Sequence, residues 1–360
     1  MPNNRIFYAV QAVKIRPCQT NVAGNYVYGS EVVARGVQSI GINTNFNLEQ
    51  AYQLGQLGLY SNIEEVPDVE ITLNSILDGT RLLYNLSLDG SGTLSGSSMT
   101  GSSLSNGLGL TQISDRRCDI ALGIWDESVI ATTGSAQAYA VSSGAYVSSV
   151  AFNFNSDGNF TEDLTLVSNN LRWQPSTGGG ITSFNSGLPG NEVKRIARRW
   201  SLDTTASVLP TGSGGGIAGL TATTSTVHIN SITINCSIGR ESINKLGVRA
   251  PYYRYINFPV EVTSEFSVTA VSGAQVNADD FSTQTGCSAS AAGNLTNLPI
   301  TIRVCDPNSA STAYVFDLGT TNRLTSANQT GGDTGGGNVE VSYSYQTFNS
   351  FSVSGVNNIS

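Results

Sequence analysis

Charge is what this chain has least of. Only 12% of its 360 residues are Asp, Glu, Lys or Arg, against about 25% in ordinary soluble domains. The 18 basic and 26 acidic residues give a formal net charge of −8. Such a surface stays soluble and does not attract phosphate backbones, which makes sequence-specific DNA binding a poor reading. There is a single histidine, His228. No second one can complete a metal pair, and a Ser-His-Asp triad would depend on it alone. It lies in Thr226-Val227-His228-Ile229, where alternation along a strand puts it opposite Val227 and Ile229, on the wetter face. Five cysteines (Cys18, Cys118, Cys236, Cys287, Cys305) are odd in number and form no CxxC. That argues against a disulfide scaffold or a zinc site. No apolar run approaches the roughly 18 residues of a membrane helix. The opening Met1-Pro2-Asn3-Asn4-Arg5-Ile6-Phe7 lacks the apolar core of a secretory signal. Synthesis and folding in a reducing cytoplasm, with no metal and no cofactor, are the expectation.

Other chemistry is equally thin. The glycine runs lack the Lys-Ser/Thr ending of a phosphate loop. The acid pairs Glu64-Glu65 and Asp279-Asp280 read as solvated loop residues, since nothing sets either pair across a cleft. Cys118-Asp119 and Cys305-Asp306 look like a repeated thiol-carboxylate site, but a buried strand cysteine is normally a small core residue. No catalytic residue emerges, and an enzyme is not expected.

What the chain does have is itself, twice, displaced by about 192 residues. Ser39-Ile40-x-Ile42, Glu49, Leu54-Gly55, Tyr60 and Pro67 return as Ser231-Ile232-x-Ile234, Glu241, Leu246-Gly247, Tyr252 and Pro259. Val69-Glu70-Ile71-Thr72 returns as Val260-Glu261-Val262-Thr263, Cys118-Asp119 as Cys305-Asp306, and Val150-x-Phe152-x-Phe154 as Val341-x-Tyr343-x-Tyr345. A repeat of this length implies two domains of one fold, each able to hold its own core. Ile6 to Ile15, Val69 to Leu73, Val147 to Phe154, Val262 to Ala270 and Val339 to Tyr345 all alternate with period two, the mark of antiparallel sheet with one buried face. Asn47 before Leu48 to Leu54, with Gly55 after, predicts a short helix, and Arg240 to Leu246 before Gly247 predicts its counterpart. The fold class is therefore all-β: two tandem copies of a β-barrel or sandwich domain, each with one short flanking helix. The copies span 1–173 and 223–360, with a linker over 174–222. Gly90 to Gly109, Gly178 to Gly180, Gly214 to Gly216 and Gly331 to Gly337 read as loops.

The duplicated segments, Asn47-Leu48-Glu49-Gln50 through Gly55, Tyr60, Ile63-Glu64, Pro67 and Val69 to Leu73, with their second copy from Gly239-Arg240-Glu241 through Thr263, resemble the tail tube proteins of tailed bacteriophages. The resemblance implies a barrel or sandwich with a flanking helix and a long hairpin, six such domains closing a ring around a channel, and rings stacking into a tube. Most of that family carry one domain and form hexamers. Two domains per chain imply a homotrimeric, pseudo-sixfold ring instead. The implied partners are further copies of the chain and the tail sheath, terminator and baseplate proteins, with DNA passing through unread and no membrane. The implied location is the virion tail. The alternative class is a capsid, decoration or fibre protein built from tandem β-domains. A glycan-binding or hydrolytic β-protein, suggested by Trp125, Trp173, Trp200 and Tyr252-Tyr253, ranks below it because such residues more often pack cores and interfaces.

The linker carries one cluster: Lys194, Arg195, Arg198 and Arg199 place four cations within six positions. A helix there would put Arg195, Arg198 and Arg199 on one face and Val193, Ile196 and Trp200 on another. The expected partner is an acidic surface on a neighbouring domain or ring, with Glu64, Glu65 and Asp68 as the candidate.

Overall fold

Alternating apolar and Ser/Thr/Asn positions give strands one face to bury and one to wet, and the fold is all-β accordingly. The computed structural model describes residues 6, 9, 11–20, 26–29, 31–88, 93–95, 98–100, 109–125, 136–175, 194–211, 217, 227–249, 251–271, 297–332 and 337–355. Eight strands form one continuous antiparallel sheet. In spatial order they are Val37–Asn45, Asp68–Ile76, Thr161–Ser168, the second half of Ala138–Asn155, His228–Ser237, Glu261–Thr269, Glu340–Phe348 and Arg323–Thr330. This long sheet stays open and does not close into a barrel. Val69, Ile71 and Leu73 are buried along one strand, and Val262, Phe266 and Val268 along another.

A second layer covers the buried face. Gln11–Thr20, Arg117–Ile124 and the first half of Ala138–Asn155 pair side by side, so one long strand passes from this layer into the long sheet. Thr301–Asp306, Ser309–Asp317 and Ser352–Ser354 make a separate three-stranded sheet. Between the layers Phe152 and Phe154 meet Phe316 at ring separations of 4.6 and 5.2 Å, and Phe351 meets Tyr84 at 5.8 Å. One core therefore runs across both expected domains. The linker is stitched into it: Ala197 donates to Leu77 O at 2.7 Å and accepts from Phe160 N at 3.0 Å, while Val208 exchanges hydrogen bonds with Thr301.

The predicted helices at 48–54 and 240–246 are not helices. Leu48–Ala51 pairs with Ser61–Glu64, and Arg240–Ile243 with Tyr253–Ile256, as two hairpins. Seven residues are too few to hold a helix without a packed face, whereas a facing strand is available nearby. Gly55 and Gly247, read as helix stops, adopt φ of +85° and +82° in the hairpin turns, a conformation that glycine adopts without strain. Asn47 caps nothing; its amide donates to Val66 O at 3.1 Å and Asp68 Oδ2 at 2.9 Å. Among the described residues the α-helix lies at Leu83–Leu88, all six residues buried. It was not anticipated. The stretch read as a loop from Gly90 to Gly109 includes strands Thr93–Ser95 and Ser98–Thr100. Gly178 to Gly180 and Gly214 to Gly216 lie outside the described residues.

The ladder of the second half follows that of the first. The bulge between Val37 and Ser39 recurs between Ile229 and Ser231, 192 positions on (37 to 229). Leu48 faces Glu64 as Arg240 faces Ile256, at the same offset (48 to 240, 64 to 256). The bulge between Val147 and Ser149 recurs between Leu324 and Ser326, 177 positions on (147 to 324). Ala138 faces Pro175 as Val315 faces Ser354 (138 to 315, 175 to 354). Three sequence matches shift, however. Strand Asp68–Ile76 corresponds by ladder to Glu261–Thr269, 193 positions on (68 to 261), so the Val-Glu-Ile-Thr match is two residues out of step. A two-residue slip leaves every side chain on its own face, and alternation alone does not detect it. Val341 to Tyr345 lies in the counterpart of Thr161–Ser168, not of Val150 to Phe154. Cys118 stands near the start of its strand and Cys305 near the end of its own.

Glu162 is the one carboxylate on the buried face of the long sheet, and it receives the first turn of the helix: Leu83 N donates to it at 2.8 Å and Tyr84 N at 2.7 Å. Burial pushes its pKa up to about 7, against the pull of those donors. Unfolded, the group deprotonates near its ordinary 4.5. Between those values the folded chain holds a proton that the unfolded chain has lost, so this group's contribution falls as pH rises from 4.5 to 7. The loss is at most roughly 3 kcal/mol. Urea midpoints measured at pH 5 and pH 7.5 should therefore fall more steeply in the parent than in Glu162→Gln; parallel behaviour would show that Glu162 ionises freely.

Candidate assembly interface

The wet face of the long sheet is a single chemical surface. Asp68, Glu70, Asp163, Glu261, Glu265 and Glu340 lie on it amid Ser, Thr and Asn. The one Lys or Arg on the eight strands is Arg323, on the last edge. Amides hold several of the carboxylates. Asn74 and Asn153 donate to Asp163 at 2.6 and 3.0 Å, Asn230 to Glu340 at 3.1 Å and Gln346 to Glu261 at 2.7 Å. His228 is exposed at the start of its strand, as alternation predicts.

The two halves meet at a seam where Ala138–Asn155 pairs with His228–Ser237, from Ser149 opposite Ser237 to Asn155 opposite Ser231. The second hairpin reaches back across it. Arg240 donates to Val147 O at 2.8 Å and Ser114 O at 2.7 Å, and lies 5.2 Å from the Tyr146 ring. Burial lowers its pKa to about 10, still far above neutral, so it stays charged. Tyr253 donates to Asp115 O at 3.0 Å, and Arg254 bonds Asp68 at 3.2 Å and Asn169 at 2.9 Å. Arg249 donates to the carbonyls of Glu64 and Glu65.

The Asp68 carboxylate thus meets Arg254, and the backbone carbonyls of Glu64 and Glu65 meet Arg249, two cations of the second hairpin that the sequence did not single out. Arg254 occupies the place of Asn62 and Arg249 that of Leu57 (62 to 254, 57 to 249). A cation in one half at the place of a neutral residue in the other was the legible signal. The expected partners stand elsewhere. Residues 194–198 are not helical, and only Arg199–Ser201 forms a short turn. Arg198 donates to Asn159 Oδ1 at 3.0 Å, the Arg195 backbone N–H to Asn308 Oδ1 at 3.1 Å, and Trp200 is exposed. Lys194, Arg195, Arg198 and Trp200 line one groove. Ala197 ties this segment to Leu77, just past Asp68–Ile76, whereas the acids stand at that strand's beginning. At about 3.3 Å per residue, Asp68 and Leu77 are roughly 30 Å apart, so the two clusters stand at opposite ends of the sheet. Val193 lies outside the described residues.

Among the other aromatics Trp125 is buried, while Trp173 and Tyr252 are exposed. Among the described residues no cluster of His, Cys, Asp and Glu could hold a metal, and no helix is long and apolar enough to cross a membrane. No protein-family model matches the chain, and no curated protein matches its sequence.

Arg240 makes the seam sensitive to one residue. Arg240→Ala should leave the carbonyls of Val147 and Ser114 without its donors and cost about 1–3 kcal/mol, read as a lower urea midpoint. An unchanged midpoint would mean that the hairpin contributes nothing to holding the halves together.

Proposed function

We propose that this chain is a structural virion subunit whose copies form rings that stack into a tail tube, the conduit for DNA ejection. The observation that carries the reading is the open eight-stranded sheet, polar and acidic on its wet face and nearly free of Lys and Arg. A wall of that chemistry repels phosphate and lets a duplex slide without gripping it. An open edge invites pairing unless something covers it, and joining edges around a ring removes every edge.

The halves are read as two copies of one unit, supported by the recurring ladder and bulges. Three chains then supply 24 strands. At about 4.8 Å between strands the backbone circle is roughly 37 Å across, before tilt widens it. That leaves room for side chains and for a duplex about 20 Å wide. The subunit is read as having no catalytic role. Its partners are further copies of itself, with sheath, terminator and baseplate proteins outside and at the ends, and its place is the virion tail after synthesis in the host cytoplasm.

The basic cluster and the acidic end fit stacking. A head-to-tail contact brings Lys194, Arg195, Arg198 and Arg199 of one ring toward Glu64, Glu65 and Asp68 of the next, and such a heterologous contact propagates. Exposed pairs contribute only about 0–1 kcal/mol each, so they set register more than strength. Replacing Arg195, Arg198 and Arg199 together by Ser should leave folding intact and shorten or abolish stacks. Tubes of normal length with unchanged salt sensitivity would remove the cluster from the contact.

Negative-stain microscopy of the purified protein is the direct test. Rings of constant diameter with a central channel, alone or stacked, are expected. Closed shells would favour a capsid role, and monomers at all concentrations would overturn the reading.

A further inference from the structure

The seam inside the chain is also a template for what lies beyond its edges. Passing from the first half to the second carries Val37–Asn45 onto the ladder position of His228–Ser237, and the second half of Ala138–Asn155 onto Arg323–Thr330. In the seam those two counterparts pair with each other. Val37–Asn45 and Arg323–Thr330 each have one strand neighbour among the described residues and present their other side outward.

The hairpins repeat the contrast. The second lies across the seam, held by Arg240, Tyr253 and Arg254. The first follows the free edge Val37–Asn45, and among the described residues the second hairpin meets it at its base, where Arg249 donates to the carbonyls of Glu64 and Glu65. Phe46, Leu48, Leu54, Leu57 and Tyr60 are exposed along it, Leu54 and Leu57 completely. Leu48 holds the place of Arg240. On the second half, Phe348 holds the place of Asn169, the residue that receives Arg254 (161 to 340, 169 to 348), and it is 51% exposed, with Phe258 also exposed. Leu57 likewise holds the place of Arg249, so at three positions, Leu48, Leu57 and Phe348, a polar group of the in-chain seam is replaced by an apolar one, while Leu54 and Tyr60 repeat the exposed Leu246 and Tyr252. That is the chemistry of a contact made between copies.

We propose that a second copy of this chain continues the sheet. Arg323–Thr330 of one copy pairs antiparallel with Val37–Asn45 of the next, from Ser326 opposite Asn45 to Thr330 opposite Gly41. The first hairpin then lies over Phe348 of the neighbour. This rests on the assembly reading above and adds the surface and its register. The register follows from the seam: Ala151 opposite Asn235 becomes Asn328 opposite Asn43 (151 to 328, 235 to 43).

Cysteine pairs test it. Asn43→Cys with Asn328→Cys, assembled and then oxidised, should give covalent dimers and trimers on a non-reducing gel. Ala151→Cys with Asn235→Cys should cross-link within one chain and leave the mass unchanged. The parent, with its five native cysteines, serves as the blank. Ser39→Cys with Asn328→Cys, four residues out of register, should stay uncross-linked. Cross-linking of that displaced pair instead, or assembled copies in which Asn43→Cys and Asn328→Cys do not join, would overturn the proposed seam while leaving the assembly reading standing. Failure of the parent to assemble at all would overturn both. As a second measurement, Leu48→Glu and Phe348→Glu change exposed side chains. Each should keep the parent's urea midpoint and raise the concentration needed for assembly about tenfold or more; unchanged assembly in both would remove the hairpin from the contact.

Discussion

A sheet that wets one face must hide the other face and settle both of its edges. That requirement organises this molecule. Eight antiparallel strands hold their backbone groups in one ladder, and alternation sends Val, Ile, Leu and Phe to one side and Ser, Thr, Asn and carboxylates to the other. The buried side is met by a second layer from both halves, and the aromatic contacts of Phe152, Phe154, Phe316 and Phe351 lie where the two halves meet. The halves therefore share one core. The edges are the part that the single chain leaves open.

Two buried ionisable groups tie separate elements of the fold together. Glu162 is set under the only α-helix among the described residues and receives its leading N–H groups. Arg240 draws the second hairpin across the seam by bonding backbone carbonyls of the first half. Arg240 keeps its charge and would leave it unpaired without those carbonyls, whereas Glu162 holds a proton below about pH 7 and accepts the helix N–H groups as a buried acid. On the wet face Asp163, Glu261 and Glu340 are met by Asn and Gln amides, while Asp68, at its end, meets Arg254.

The halves share parts of one ladder pattern, and the sequence matches between them follow it only in part. Ser39-Ile40-x-Ile42 and Ser231-Ile232-x-Ile234 mark strands whose bulges coincide. Val69 to Thr72 and Val260 to Thr263 look equivalent, yet the ladder sets them two residues apart. Any even slip satisfies the same apolar pattern, and only inter-strand hydrogen bonds choose among such slips. The segments after Asn47 and Gly239 carry the marks of a helix because caps and glycine stops look alike in helices and tight turns. Pairing with Ser61–Glu64 and Tyr253–Ile256, distant by a dozen residues, decided the matter.

The sequence by itself determined the all-β class, the alternation of wet and buried faces, the exposed position of His228 and the scarcity of cations along the strands, because each follows from residue type and a period of two. Only the tertiary structure decided the order of strands, the continuity of the core, the helix at Leu83–Leu88 and the partners of Glu64, Glu65 and Asp68. The basic cluster from Lys194 to Arg199 and those acids were both visible as charge, but their separation along the sheet was not. Which charges meet depends on contacts between residues more than a hundred positions apart, such as Arg254 with Asp68, and no local pattern encodes a distance of that kind.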